Sequence, residues 1–279
     1  MIVQGWTESA QEARSLVVEE EPDWVKELRM QILERQDPWV VLEGRLAVEA
    51  AVAGWWDLAG ILAGESCDWE PPEWSGLELL RCPSEELDRL GSSESHEGVL
   101  GLTKLPEETS DVATLMKELD DDALVVVCPR LFCEEQAGAV LKNAAALGAK
   151  AVIFGREGIS PFERRAVRSS AGAIFRIPVR VADGGQILRC LKTAGFTLIG
   201  GAAGDGSVPL ESLAIEPGRL AIVIGAENEG LGRFWQAACD ALTQVPVEAD
   251  SGALDPAATS AVLMWELARR RKEHAESEG

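Results

Sequence analysis

The fold is decided by two stretches, AIVIGAENEGLGRF at Ala221–Phe234 and VPVEADSGALDPAATSAVLMWELARRR at Val245–Arg271. The first begins with a short apolar run rich in β-branched residues, a pattern typical of a buried parallel strand. The run ends at Gly225, and a second glycine, Gly230, closes the loop that follows. Glycines let the backbone approach a ligand closely, and open α/β sheets bind ligands at the carboxyl ends of their strands. This stretch therefore predicts a strand followed by a ligand-binding loop.

The second stretch combines a proline-containing segment with a helix start. Val245–Val247 is predicted as a short strand or a loop, and the polar residues 248–252 as a loop. Asp255 fits a helix N-cap, and Pro256 fits the first helical position. Apolar residues then recur at helical spacing, and the helix closes with basic residues, which favour the negative end of the helix dipole. These features alone are consistent both with an ordinary βα unit and with a ligand site.

Both stretches resemble signatures of one enzyme family. IVIGAENEGL looks like the second signature of the SpoU/TrmH family of RNA 2′-O-methyltransferases, in the SPOUT superfamily. VPVEADSGALDPAATSAVLMWE resembles the third signature, which reads roughly I-P-M-x-G-x-x-x-S-L-N-V-S-x-A. The match departs from that pattern at Ala253, Asp255 and Ala257, where Ser, Asn and Ser are usual.

The resemblance implies a fold, a cofactor and an assembly. The implied fold is α/β, with a C-terminal parallel-sheet SPOUT domain, a deep trefoil knot around the last two signatures, and a homodimer formed through the knotted domain. The implied cofactor is S-adenosyl-L-methionine, held mainly by main-chain atoms. Carried over by position, its binding residues are Gly225, Val245, Leu254 and Ala202.

Four residues are candidates for catalysis, again by resemblance. The family's first signature has a pattern like N-x-G-x-x-x-R-x-A, and its match here is QAGAVLKNA, in which Gln136 replaces the asparagine and Lys142 the arginine. Glu227 matches the acidic position of the second signature, where it would orient the cation, and Asp255 stands at an asparagine position of the third. Lys142 is either a catalytic group, acting as a base if burial favours its neutral form, or an exposed helix lysine.

The composition argues against several other classes of protein. The chain has 279 residues, of which 47 are acidic and 26 basic, for a formal net charge of −21. It contains no run of eighteen apolar residues and no signal-peptide pattern, which predicts a cytoplasmic protein without a membrane span. Two histidines and six cysteines without a C-x-x-C motif predict buried reduced thiols and no metal site. The absence of a phosphate-binding loop argues against a nucleotide-binding α/β enzyme.

Charge and aromatic residues are unevenly distributed, which predicts two domains. Residues 1–119 carry 26 acidic and 9 basic side chains and seven of the nine tryptophans, whereas all six phenylalanines come later. We predict a small acidic α/β domain at residues 1–106, a linker at 107–122 and the SPOUT methyltransferase domain at 123–279. WVVLEGRLAVEA, at Trp39–Ala50, resembles the F-x-x-E-G-x-x-x-V-x-E-A run of the RNA-substrate-binding domain that many TrmH-like enzymes carry. A generic α/β module is the alternative.

Strand and helix patterns alternate through the second domain, so its sheet is predicted to be parallel with helices on both faces. One of its strands is predicted at Ala171–Pro178, after a small-residue turn. Four arginines, Arg156, Arg164, Arg165 and Arg168, are predicted either as an RNA track or as scattered solvated charges.

Residues and resemblance together predict an S-adenosyl-L-methionine-dependent RNA methyltransferase, with ribose 2′-O-methylation of rRNA or tRNA as its activity. The alternative is a catalytically silent SPOUT-like protein that binds RNA or assists an assembly. The replacements Gln136, Lys142 and Asp255 discriminate between the two, because lysine does not substitute for arginine where a planar guanidinium grips a phosphate.

Overall fold

The apolar run at Ala221–Ile224 forms part of a central strand of a parallel sheet in a computed structural model of the chain. The strand, Leu220–Ile224, is buried along its whole length. It pairs in parallel on one side with Leu124–Cys128 and on the other with Thr197–Gly201. The structure describes residues 22–34, 38–54, 56–91, 96–204, 206–214, 218–248 and 252–278.

The chain divides into two units. The first comprises Met1–Pro106 and Phe162–Phe175, and the second comprises Glu107–Pro161 and Arg176–Gly279. The chain of the second unit therefore leaves it after Pro161 and returns at Arg176.

The first unit contains a four-stranded mixed sheet, as the sequence predicted for a small α/β region. Its strands are β1 (Trp39–Glu43), β2 (Leu58–Gly64), β3 (Leu79–Cys82) and β4 (Val99–Lys104), and its helices are α1 (Asp23–Glu34), α2 (Arg45–Ala53), α3 (Ser84–Leu90) and α6 (Arg164–Ser169). The strand order is β1-β4-β2-β3, with β4 antiparallel to both neighbours and β2 parallel to β3. Val25 and Leu28 of α1 join Leu62 and Leu100 in its core.

The second unit contains a seven-stranded sheet in which every pairing is parallel, as predicted. Its strands are β5 (Leu124–Cys128), β6 (Ala151–Gly155), β7 (Val179–Ala182), β8 (Thr197–Gly201), β9 (Ser207–Pro209), β10 (Leu220–Ile224) and β11 (Ala241–Gln244), in the order β7-β6-β5-β10-β8-β11-β9. Its helices are α4 (Val112–Glu118), α5 (Glu134–Ala146), α7 (Gly184–Thr193), α8 (Gly232–Ala238) and α9 (Pro256–Glu278). All five residues of β5, β6 and β10 are buried, which is the pattern of a sheet covered on both faces.

Two sequence predictions need correction. Residues 107–122 are not a linker, because Val112, Leu115 and Met116 of α4 are at most 2% exposed in the core of the second unit. The strand predicted at Ala171–Pro178 is wrong. Ala171 and Gly172 have positive φ angles, Ala173–Phe175 is a 3₁₀ turn, and the strand is β7, just beyond Pro178. The apolar pattern reflects the burial of Ala173, Ile174 and Phe175, which belong to the first unit.

The sequence analysis missed β9, β11 and α8, which span three, four and seven residues. Such short elements give a weak periodic signal. The predicted trefoil knot stays a prediction, because strand order and register do not test it.

The six thiols are free. Cys67, Cys82 and Cys128 are buried, as predicted, and Cys133, Cys190 and Cys239 are partly buried. Burial raises the pKa of Cys82 and of Cys239 to about 12, so both thiols stay protonated at neutral pH.

None of the helices in the described ranges has the length and apolar character of a membrane span.

Candidate active site

A cavity of about 680 Å³ lies where three neighbouring strands of the second unit end. Ile224 of β10 is in register with Gly201 of β8, and Gly201 with Thr243 of β11, so the three carboxyl ends meet at one edge. The volume is in the range of small-molecule sites, and this edge is where open α/β sheets bind ligands. The walls are formed by Gly201–Ala203, Ile224–Glu227, Gly230, Thr243–Glu248, Gly252–Leu254, Pro256 and Thr259.

The four residues predicted to bind the cofactor come together in this cavity. Ala202 follows β8, Gly225 follows β10, Val245 follows β11, and Leu254 precedes α9. They span more than fifty residues of sequence, and parallel pairing of three strands brings them to one place. Their role as cofactor ligands stays a prediction.

Gly225 is required by the closure of its own loop. A Cβ at this position would lie 2.2 Å from both C and O of Gly230, closer than a side chain tolerates. The loop is closed by two hydrogen bonds, in which Ala226 N donates to Gly230 O at 3.1 Å and Gly230 N donates to Ala226 O at 2.8 Å. Gly230 has a φ of 61°, which favours glycine. A bulky residue at position 225 would thus disrupt the loop before it blocked the cavity.

Glu227 is the catalytic candidate that lines the cavity. It is exposed, and its Oε2 accepts a hydrogen bond of 2.5 Å from Gln136 Nε2. Gln136 is half-buried in the first turns of α5, which follows β5, the neighbour of β10. The two candidates therefore form one polar group at the rim of the cavity.

Lys142 lies apart from that group. It is exposed on α5 and does not line the cavity. Six residues separate it from Gln136, which at 3.6 residues per turn places the two on different faces of the helix. Asn143 is the residue that shares the face of Gln136, and its Nδ2 donates to Ala257 O at 3.0 Å. In the single chain, Lys142 lacks the burial that a base would need.

Asp255 is the N-cap of α9, as the sequence predicted. Its Oδ1 accepts hydrogen bonds from Ala257 N at 2.8 Å and from Ala258 N at 2.9 Å. Its neighbours Leu254 and Pro256 line the cavity, but Asp255 does not. The carboxylate thus satisfies two amide groups at the start of the helix.

Sequence reasoning missed several wall residues, among them Thr243, Pro246, Val247 and Thr259. Thr243 escaped because β11 was not recognised, although its hydroxyl is buried and donates to Val208 O at 2.9 Å. Thr259 lies about one helical turn after Asp255, on the same face of the predicted helix start, so helical spacing could have indicated that it lines the site.

The four arginines predicted either as an RNA track or as scattered charges are divided between the two units, with Arg156 in the second unit and the other three in the first. Arg164 and Arg168 lie in the first unit and face the buried carboxylate of Glu43, at Nη2–Oε1 3.4 Å and Nη1–Oε2 3.9 Å. Arg156 lies in the second unit, 3.9 Å from Asp183. Glu43 belongs to the WVVLEG motif, so in this chain that motif supplies a buried anchor for α6.

The family model described as "SpoU rRNA Methylase family" matches residues 123–265, more than half of the chain. The chain belongs to the SpoU rRNA methylase family. Among SpoU relatives, a protein of Xanthomonas campestris pv. campestris named 23S rRNA (guanosine-2′-O-)-methyltransferase RlmB is 30% identical over 200 residues, covering 70% of this chain and 79% of that protein. A protein of Mycobacterium sp. named uncharacterized tRNA/rRNA methyltransferase is 29% identical over 202 residues. The match covers 71% of this chain but only 63% of the mycobacterial protein.

Solved structures of SpoU-type enzymes share the fold. One described as an RNA 2′-O ribose methyltransferase is 26% identical, with a TM-score of 0.74 over 89% of this chain and 96% of that chain. The SpoU methyltransferase AviRb from Streptomyces viridochromogenes, solved with AdoMet, is 20% identical with a TM-score of 0.74, covering 88% of this chain and 98% of that chain. At that identity, AviRb supports the fold alone.

Proposed function

We propose that this chain is an S-adenosylmethionine-dependent RNA methyltransferase that modifies a ribose 2′-hydroxyl of cytoplasmic rRNA or tRNA. The observation that carries the proposal is the cavity that unites Ala202, Gly225, Val245 and Leu254 beside Glu227. Family membership and the names of the relatives support the same activity.

The residues around the cavity fit the proposed cofactor. Val247 and Leu254, which both line it, are 47% and 38% exposed, so an adenosyl group bound there would cover apolar surface. Gly225 lines the cavity without a side chain, so main-chain atoms of its loop lie close to a bound ligand. When bound, S-adenosylmethionine supplies the electrophilic methyl group.

The chain's own groups would orient the acceptor. The carboxylate of Glu227 stands at the rim, where it can accept a hydrogen bond from a ribose hydroxyl. Gln136 restrains that carboxylate through the bond of 2.5 Å. Holding the hydroxyl in line with the methyl group supplies much of the rate of such a transfer. Lys142 stays a catalytic candidate of the second rank, because it does not line the cavity of its own chain.

We also propose that the protein is a homodimer formed through the second unit. Val262 and Trp265 of α9 are 36% and 56% exposed, and α9 packs along α5, whose exposed residues here include Ala145 and Ala146. Large exposed apolar side chains beside small ones suit an interface between copies. Light scattering should give twice the chain mass for the wild type and a monomer for Trp265→Glu.

A catalytically silent relative that keeps the cavity is the second candidate. It is favoured by Asp255, whose carboxylate is used as a helix cap, and by the exposed position of Lys142. Such a protein would bind S-adenosylmethionine and RNA without transferring the methyl group.

The deciding experiment is transfer of a tritiated methyl group to unmodified rRNA and tRNA. A 2′-O-methylated ribose protects its phosphodiester from alkali, so label should remain in dinucleotides after alkaline hydrolysis. Label in mononucleotides would indicate base methylation and contradict the proposal. No label, with cofactor binding intact by calorimetry, would favour the silent protein.

A further inference from the structure

The segment after β5 holds an aromatic ring at the surface on a fixed backbone. Leu131 is 1% exposed, whereas the next residue, Phe132, is 51% exposed. Main-chain contacts fix the segment: a Cβ at Gly155 would lie 1.9 Å from Pro129 O, and Ile159 N donates to Leu131 O at 2.8 Å. The exposure of Phe132 is therefore held in place by its neighbours.

A guanidinium lies over this ring. The Cζ atom of Arg130 is 4.9 Å from the ring centroid of Phe132, and its Nη1 is 3.0 Å from Oε2 of Glu229. The side chains of this ion pair are 49% and 55% exposed, and pairs of that kind contribute only about 0–1 kcal/mol. An incoming phosphate can replace the carboxylate at little cost.

The Arg130–Phe132 pair borders the proposed active site. Because β5 and β10 are parallel neighbours in register, the segments that follow them leave the sheet side by side. Arg130 contacts Glu229, which lies between Glu227 and Gly230, two wall residues of the cavity. The bond between Gln136 and Glu227 links the same two segments a second time.

We propose that Phe132 and Arg130 bind the nucleotide beside the target ribose, with Phe132 stacked on a base of single-stranded RNA and Arg130 on its phosphate. This inference rests on the proposed function, because it places the substrate at the same edge of the sheet. A stacked base contributes about 1–3 kcal/mol to binding, and a guanidinium matches the geometry of a phosphate. Bases of a duplex are already stacked and do not offer this face.

The negative net charge of the chain makes a short-range contact with RNA more important for affinity. A protein with a formal net charge of −21 repels a polyanion at long range, so short-range contacts must supply the affinity for RNA. A second copy of the chain is the competing occupant of this patch. Trp265 and Val262 of α9 are the residues that we assign to that contact.

Fluorescence anisotropy with a labelled single-stranded RNA of about 15 nucleotides tests the inference, because single-strand sites cover about 4–16 nucleotides. Phe132→Ala should weaken binding about 5- to 150-fold, which corresponds to the loss of one stacked base. Phe132→Trp should bind like the wild type. The matched control is Phe234→Ala, since Phe234 is 55% exposed in the same unit, and it should bind like the wild type. With the same RNA annealed into a duplex, the wild type and Phe132→Ala should bind with equal affinity.

Unchanged binding by Phe132→Ala, an equal loss in Phe234→Ala, or no binding of the single strand by the wild type would each overturn the inference. So would a change in oligomeric state of Phe132→Ala, because the ring would then be a subunit contact. The proposed function is tested independently of RNA binding, by calorimetry with S-adenosylmethionine and by methyl transfer with the wild type. If transfer fails while binding still depends on Phe132, the proposed function is wrong and the RNA contact stands.

Discussion

Gln136 and Glu227, which are 91 residues apart in sequence, are joined by a hydrogen bond of 2.5 Å between Nε2 and Oε2. The bond links the segment after β5 to the loop after β10, and it fixes the one catalytic candidate that lines the cavity. A glutamine at this position thus performs a defined task, although the family pattern has asparagine there.

We expect Gln136 and Glu227 to act as a unit. Glu227→Ala should lower kcat/KM for methyl transfer by about 10²-fold, in the range of a positioned acid or base, and Gln136→Ala by about 10-fold. The double variant should be no worse than Glu227→Ala, because groups that act together are not additive. Affinity for S-adenosylmethionine should stay unchanged in all three. Additive losses would show that the hydrogen bond has no part in the reaction.

Ala203→Trp should block the cofactor site without disturbing the fold. Ala203 lines the cavity and is exposed, so an added indole enters the cavity and displaces no core atom. We expect affinity for S-adenosylmethionine, measured by calorimetry, to fall by at least about 10-fold, or about 1.4 kcal/mol. Ala113→Trp, at an exposed alanine of α4, is the control and should bind normally. Equal affinities would place the cofactor elsewhere.

Lys142→Ala separates the two interpretations of this lysine. If Lys142 is catalytic, the variant should lose methyl transfer to bulk RNA and keep its affinity for the cofactor. Lys142→Arg, which restores the family residue, should then keep or increase the transfer, because the guanidinium grips phosphate with two donors. Transfer at the wild-type rate by Lys142→Ala would make it a solvated helix lysine.

Local signals predicted much of the fold and part of the site. The apolar run before Gly225 and the Asp255-Pro256 helix start carry their information in neighbouring residues, so both were readable from the sequence. The sequence did not reveal which unit contains Val112–Glu118 or Phe162–Phe175. An apolar pattern shows that a segment is buried, but it does not show which core the segment joins. The bond between Gln136 and Glu227 depends on strand order, which no local pattern contains.

Replacing Asp255 tests the cap apart from the chemistry. Asp255→Ala removes the acceptor of two amide hydrogen bonds and should cost about 1 kcal/mol of unfolding free energy, or a Tm lowered by about 2–4 °C. Asp255→Asn should keep the Tm, since asparagine caps equally well. Methyl transfer that is unchanged in Asp255→Asn assigns the residue to the helix start. A changed rate at constant Tm would return it to the active site.

Acid should weaken the α9 cluster around Glu266. Hydrogen bonds from Arg269 and Arg270 lower the pKa of Glu266 to about 2, below its usual value near 4.5. Its stabilising effect is therefore complete above pH 4.5 and is lost as the pH falls toward 2. Glu266→Gln should be less stable than the wild type at pH 7, by on the order of 1 kcal/mol after solvent screening. Urea unfolding should show this difference shrinking below pH 4.5, whereas Glu273→Gln, at the 61% exposed partner of Arg269, should show little difference at either pH.

Phe162–Phe175, which belongs to the first unit although it lies within the sequence of the second, limits how the second unit can be produced as a separate fragment. Ala166, Val167, Ile174 and Phe175 are at most 5% exposed, and they are buried in a body that lies earlier in the chain. A fragment starting at Glu107 would keep every strand of the parallel sheet. It would also contain this apolar segment without the first unit, so the segment's buried side chains would be exposed to water. Expression of the second unit alone therefore calls for replacing the insertion by a short polar segment between Pro161 and Arg176.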